Sequence, residues 1–362
     1  MNSSPAAAAE IFREGAVEAM QAELCHPTTG AGVVGELERR FAALVGARFC
    51  VAMNNCTSAV HAALLAHGVG RRDEVIVPAY TWGGSLTGLL HLGAVPVFAD
   101  VDDTLTLDPE DVERKVNGRV KAVVAAHLYG HPCDVRRLKE VCRRHRLALI
   151  EDCAHAFQAT ADGRAVGTFG TGCFSLPHGA GAGGMLSTDD EKVFDRALYY
   201  TQSPLRQRSE MLAPREPNEF TLDYGLDPLA AASILSGLEA ATEALRRRRA
   251  FFELLNEEVG RSPFEKLSPV TVRPNVVHSW HRYSPALTWH VSERELGAIR
   301  DFFFARGCRV EQGYVPRPLY CHRALAALSR LSAKRARATI LARTEQACVT
   351  RIGVRPLAPD WR

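Results

Sequence analysis

The sequence predicts an α/β protein, a mainly parallel sheet covered by helices on both sides, followed by a smaller α+β unit. Three observations carry this. Seven short apolar runs recur along the first half of the chain. Helical stretches separate most of them, which is the pattern of βαβ units. Beyond residue 229 one long helical stretch leads into a segment of different texture.

Taken in order, VVGELERRFAALV (33–45) places Leu37, Phe41 and Leu44 on one helical face, and Gly46 is its stop signal. The runs RFCVAM (48–53), EVIV (74–77), PVFAD (96–100), KAVVAAH (121–127), LALIED (147–152), GCFSL (172–176) and GMLST (184–188) read as buried strands. SAVHAALLAHG, DPEDVERKV and DVRRLKEVCRRH read as intervening helices. The helix LAAASILSGLEAATEALRRRRAFFELLNEEV then leads to SPALTWHV and SERELGAIRDFFFARG. The expected division is a large domain over residues 1–235, with its N-terminal helical segment, and a smaller one over 236–362.

With 362 residues, 46% of them hydrophobic, the chain is long enough for a sizeable core. Its 44 basic and 41 acidic residues are interspersed, so no electrostatic footprint for nucleic acid stands out and a small-molecule partner is expected. No apolar run is long enough to span a bilayer, and MNSSPAAAAEIFREG lacks the regions of a signal peptide, which points to a cytoplasmic protein without a membrane partner. The ten cysteines are then expected to stay reduced, and the absence of a CxxC pair argues against a structural zinc site.

Ligands of open α/β sheets sit beyond the carboxyl ends of the strands, so the residues just after each run deserve inspection. After the first strand, NNCTSAVHAAL turns into a helix at Thr57 and Ser58; such a turn suits a phosphate, and it equally suits a simple N-cap. After the second, Trp82 in PAYTWGGS stands where an indole can lie over a planar ligand, or simply fill the core. After the fifth, EDCAHA offers Asp152 and His155; a carboxylate there either caps a helix or partners a protonated ring nitrogen. Arg246 to Arg249 read as a solvated helix face.

Together these segments resemble the DegT/DnrJ/EryC1/StrS family of sugar aminotransferases. The likeness runs through DEVIVPAYTWGGS, GAVPVFADVD, HLYGHPCD, IEDCAHAFQA, VGTFGTGCFS, GGMLSTDD and ACVTRIGVRPL, nearly the whole chain. It implies fold type I of the pyridoxal phosphate (PLP)-dependent transferases, with a seven-stranded sheet, and a homodimer. It also implies that Thr57, Ser58 and Ser175 hold the cofactor phosphate, Trp82 stacks on the pyridine ring, Asp152 pairs with its nitrogen and His155 lies near its phenolic oxygen.

Two departures stand against the family pattern. FSLPHGAGAGG (174–184) is shorter than its counterpart and carries no lysine; His178 is nearest the lysine's slot and Ala182 replaces a glutamate. The chain's lysines, Lys115, Lys121, Lys139, Lys192, Lys266 and Lys334, offer no evident substitute. In FTLDYGLDPLAAA the family's phosphate-binding asparagine, which reaches across the dimer interface, becomes Asp223, and its arginine becomes Gly225. A carboxylate beside a phosphate is repulsive.

Without a primary amine the chain cannot form the family's Schiff base, but a histidine can still move a proton. The leading expectation is therefore non-covalently held PLP or pyridoxamine phosphate (PMP), with His178 as acid/base, in the manner of a relative that removes the 3-hydroxyl of a 4-keto-6-deoxy sugar. The substrate would be a sugar, aminocyclitol or nucleotide sugar. Two other readings remain: a PLP-independent enzyme reusing the cleft, and an inactive subunit that pairs with a competent relative. Substrate choice is expected in the loops 26–32 and 203–220, where Arg206, Arg208 and Arg215 are candidates to meet a phosphate.

Overall fold

The computed structural model describes residues 30–176, 183–208, 217–287, 291–322, 344, 346–347 and 351–356. Helix α1 (Gly32–Val45) buries Val34, Leu37, Phe41 and Val45 along one stripe and stops at Gly46, whose φ of 76° is left-handed. There follow β1 (Phe49–Met53), α2 (Cys56–Ala66), β2 (Glu74–Pro78), α3 (Gly84–His91), β3 (Val95–Ala99), α4 (Pro109–Lys115), β4 (Val120–Ala126), α5 (Val135–His145) and β5 (Ala148–Asp152). Two short strands, β6 (Thr160–Ala161) and β7 (Arg164–Ala165), precede β8 (Thr171–Ser175), β9 (Gly184–Thr188) and α6 (Glu191–Thr201).

Each of the seven apolar runs forms a strand of one sheet, ordered β1-β9-β8-β5-β4-β2-β3. Neighbours run parallel except at β9, which is antiparallel to both β1 and β8. Alternation along each strand feeds two core layers. Val75, Val77, Ala122 and Val124 pack with α2, α3 and α6, whereas Ile76, Val123, Ala125 and Leu149 pack with α4 and α5. Near β1, β8 and β9 the second face is covered by α1 and by a later helix, through Phe41, Phe174, Met185 and Ile234.

That later helix is α7 (Pro228–Gly260), opened by Asp227, whose carboxylate accepts from the N–H groups of Leu229 (2.8 Å) and Ala230 (3.3 Å), with a proline in its first turn. Its 33 residues extend about 50 Å. Ala231, Ile234, Leu238 and Leu245 belong to the large sheet's core, and Phe252, Leu255 and Val259 to a second one. The boundary expected near residue 235 therefore falls inside a helix that both cores share. The second core includes Trp280, Tyr283, Ile299, Phe303, Cys308 and Val354, from β10 (Leu267–Ser268), β12 (Ala286–Leu287), α8 (Glu293–Phe304), β13 (Cys308–Gln312), β14 (Ile352–Pro356) and their connections, whereas β11 (Val276–Val277) pairs with β6 and packs on the large sheet's core. No helix among the described residues is long and apolar enough to cross a membrane.

Candidate active site

The ends of β1, β2, β4, β5 and β8 border a cavity of about 290 Å³ that Asn55, Thr57, Trp82, Ser85, Asp152, His155, Ser175, His281 and Tyr314 help to line. Helix α2 begins at its rim. The cap is Asn55, whose side-chain oxygen accepts from the N–H of Ser58 at 2.8 Å. Neither Thr57 nor Ser58 is needed as the cap, and Thr57 turns into the cavity at the positive end of the helix. Ser58 is buried and borders instead a neighbouring groove of about 610 Å³, with His61, Tyr200 and Tyr224. Gly184 makes the rim possible: a Cβ there would collide with the Asn55 carbonyl, so only glycine lets β9 press against the start of α2.

Asp152 ends β5 and is held from three directions. One carboxylate oxygen accepts from the Ser85 hydroxyl at 2.6 Å; the other accepts from the Ala154 N–H at 3.1 Å and faces the Cys56 thiol at 3.6 Å. Burial, and then the Asp152 charge, push the Cys56 pKa well above the usual thiol range, so this sulfur stays protonated and donates. Ser85 is in turn 3.2 Å from the Thr81 hydroxyl.

His155 accepts the Tyr129 N–H at Nδ1 (3.2 Å), which leaves the ring proton on Nε2. Burial and the Arg282 charge lower its pKa to about 3, so at neutral pH the imidazole is uncharged. Its ring stacks on His281 with centroids 4.1 Å apart. Gly130 sets this corner: its φ is 97°, and a Cβ would strike the Ser279 hydroxyl and crowd the His155 carbonyl. Trp82 is 60% exposed, and Tyr314 lies along it with centroids 5.4 Å apart and planes 23° apart.

Behind the cavity, on the opposite side of β5, Glu151 is fully buried and accepts from the N–H groups of Gly167, Phe169 and Gly170 at 2.7 to 2.9 Å. Glu151, His127 and Cys153 come within 4.8 Å of one another, in the manner of metal ligands. The carboxylate oxygens are already taken by N–H donors, and His127 accepts the Cys133 N–H while facing Glu151 at 3.2 Å, so the group reads as a saturated hydrogen-bond network.

Thr57, Trp82, Asp152, His155 and Ser175 thus share one cavity. Asp223 is exposed, with φ of 48°, and does not line the cavity of its own chain. His178 lies outside the described residues. Arg206 is buried against Glu38, and Arg208 pairs with Glu191 at 2.8 Å and Asp195 at 3.3 Å; Arg215 lies outside the described residues. Among the described residues no lysine lines the cavity: Lys115 pairs with Asp111 and Lys266 with Glu295. Lys334 is outside the described residues. Sequence reasoning named Asn55 and Cys56 only as part of the polar turn before α2, and it missed Ser85, His281 and Tyr314. The last two stand in HSWHRY (278–283) and GYVPRPLY (313–320), polar-aromatic runs whose place at the cavity only the fold reveals.

A profile of the DegT/DnrJ/EryC1/StrS aminotransferase family matches residues 14–343. The GDP-perosamine synthase of Escherichia coli O157:H7 is 33% identical over 232 residues, covering 62% of this chain and 63% of that one. The spore coat polysaccharide biosynthesis protein SpsC of Bacillus subtilis is 34% identical over 282 residues, 74% of this chain and 70% of that one. The chain therefore spans less than two thirds of the first of these relatives. A crystal structure of 3-amino-5-hydroxybenzoic acid synthase superposes with a TM-score of 0.81 at 25% identity, over 97% of this chain and 92% of that one. The fold is the one the resemblance implied, fold type I of the PLP-dependent transferases.

Proposed function

Because the chain belongs to the DegT/DnrJ/EryC1/StrS aminotransferase family, we propose that it is an enzyme of sugar or natural-product biosynthesis that uses PLP or PMP held without a covalent bond. One observation carries this reading: Thr57, Trp82, Asp152, His155 and Ser175 converge on a single cavity, and no described lysine joins them. The donor set fits the cofactor. Thr57, Ser175 and the first N–H groups of α2 suit a phosphate, and Asp152, already fixed by Ser85 and Ala154, suits a protonated ring nitrogen.

When bound, such a cofactor supplies an electron-accepting ring that stabilises charge at the substrate carbon. The chain's own residues do the rest. Trp82 covers the ring face, the uncharged His155 offers its Nε2–H as a donor, and His178 carries the proton to and from the substrate carbon. The substrate is a sugar, aminocyclitol or nucleotide sugar, and the reaction expected of a histidine without a partner amine is loss of a hydroxyl beside a keto group. A homodimer, with Asp223 presented to the partner subunit, belongs to the same reading.

The stack of Tyr314 on Trp82 favours a second reading, in which the cleft serves chemistry without PLP. Calorimetric and absorbance titration with PLP and PMP, in the wild type and in Asp152→Ala, separates the two. Binding lost in the variant supports the first; no binding in either protein leaves the second. Turnover of a 4-keto-6-deoxy nucleotide sugar that is abolished in His178→Ala would identify the proton carrier.

A further inference from the structure

Of the titratable groups that line the cavity, one is left over once roles are assigned. Asp152 is engaged by Ser85 and Ala154. His155 accepts the Tyr129 N–H at Nδ1 and keeps its proton on Nε2, so toward the cavity it is a donor only. His127 is buried and engages both ring nitrogens, one with the Cys133 N–H and the other with Glu151. His281 differs from all three. It borders the cavity, it is exposed, and neither of its ring nitrogens has a hydrogen-bond partner among the described residues.

The backbone on either side of His281 is tied to the His155 corner. The Ser279 N–H donates to the Gly130 carbonyl at 2.9 Å, the Ser279 hydroxyl to the His155 carbonyl at 2.7 Å, and the Arg282 N–H to the Tyr129 carbonyl at 3.3 Å. The His281 ring itself stacks on His155, with centroids 4.1 Å and planes 10° apart. Trp280, the residue before it, is buried with φ of 50°, and Tyr129 on the facing segment has φ of 59°. Left-handed backbone is strained at bulky residues. Such strain persists only where the surroundings over-determine it, and it gathers at functional sites. Here two strained residues flank one stacked histidine pair. Desolvation, and next the stacked His155, lower the His281 pKa well below its ordinary value, so at neutral pH the ring is uncharged with one nitrogen free to accept.

We infer that His281 is an acid–base residue of this cavity, accepting a proton from a carbon beside the carbonyl of a keto-sugar substrate. The C–H bond breaks, an N–H bond forms on the imidazole, and the electron pair passes to the carbonyl oxygen. The reverse transfer returns the proton, and no oxidant or reductant is consumed. The inference rests on the reading of this cavity as the reaction site for a keto sugar, and it adds a base supplied by the later part of the chain.

Deuterium uptake by a 4-keto-6-deoxy nucleotide sugar in heavy water, followed by NMR with the full-length protein in the presence and absence of PMP, tests it. The wild type should exchange a hydrogen next to the keto group faster than the uncatalysed rate, and His281→Gln should slow that exchange about tenfold or more. A second readout does not depend on turnover. Diethyl pyrocarbonate acylates uncharged, accessible imidazoles, so peptide mass mapping near neutral pH should find His281 labelled, His127 and His155 spared, and the label excluded by the sugar. Equal unfolding midpoints would show that the variant remains folded, and the labelling of the wild type decides if it does not. No exchange by the wild type, exchange retained in a folded His281→Gln, or a His281 that resists labelling overturns the inference. Exchange lost in His178→Ala but complete in His281→Gln would hand the role to His178 and overturn it equally. Titration of the same samples with PMP keeps the cofactor separate: exchange that depends on His281 without PMP binding retains the base and overturns the cofactor reading, whereas PMP binding without exchange does the reverse.

Discussion

Tyr314 lies along Trp82, with ring centroids 5.4 Å apart and planes within 23° of parallel. One face of the indole expected to carry a planar ligand is thereby occupied by a side chain more than 200 positions away in sequence, itself capped by Arg282. An aromatic pair of this kind contributes about 1 kcal/mol beyond its buried area. A ring entering to stack on that face must displace Tyr314 or share the space.

Removing the competitor should help the ligand. Tyr314→Ala is expected to tighten PLP or PMP binding by about fivefold, the equivalent of one lost aromatic contact. Calorimetry decides; weaker binding would mean that Tyr314 helps to hold the ring.

Ser85 tests the wiring of Asp152. Its hydroxyl, 1% exposed as a residue, donates at 2.6 Å to the carboxylate. Without that donor the carboxylate is held only by the Ala154 N–H and the Cys56 thiol, so Ser85→Ala should loosen its orientation and weaken PLP or PMP binding by about fivefold. A stability loss of about 1 kcal/mol should accompany it. Calorimetry that finds unchanged affinity for PLP and PMP would show that Ser85 does not position the carboxylate.

Glu151 should be intolerant of even its closest substitute. Burial would raise its pKa, but His127 and the N–H groups of Gly167 and Gly170 outweigh that and keep it low. In Glu151→Gln one oxygen becomes an amide facing an N–H donor, leaving both unsatisfied. A loss of about 3 kcal/mol in denaturant unfolding is expected. A loss below about 1 kcal/mol would argue that the network relaxes around a neutral group.

Acid sensitivity should trace partly to His131. Burial, followed by the Arg273 charge, lowers its pKa from 6.5 to about 3, while the Pro132 carbonyl takes its Nδ1–H and the Arg273 N–H is accepted at Nε2. The folded state thus refuses a proton that the unfolded chain accepts. This contribution is complete above pH 6.5 and is lost as pH falls toward 3, about 1.4 kcal/mol for each unit. Between pH 7 and pH 5, His131→Asn should lose about 2 kcal/mol less stability than wild type in chemical denaturation. Parallel pH profiles for the two proteins would rule this out.

The sheet was legible because its strands are apolar runs bounded by polar turns, a signal that survives without knowledge of partners. Even β9, whose direction reverses, was visible as a run, though the run does not encode the reversal. The site was legible only where it follows a strand end: Asp152 after β5, Trp82 after β2, Thr57 after β1. Ser58, adjacent to Thr57, illustrates the limit, since one step along a helix rotates a side chain by about 100° and takes it out of the cavity that Thr57 lines. His281 and Tyr314 reach the cavity from the later part of the chain, and no local pattern announces a contact of that range.

The reversal of β9 has a practical consequence. The stretch from 176 to 183 leaves and re-enters the framework at one rim, between Ser175 and Gly184, which are paired with each other. Lengthening that stretch adds nothing to the gap its two ends must bridge. A lysine in this stretch is therefore a graft away: transplanting a longer, lysine-bearing segment between these fixed posts would ask whether the surrounding residues can support amino-group transfer.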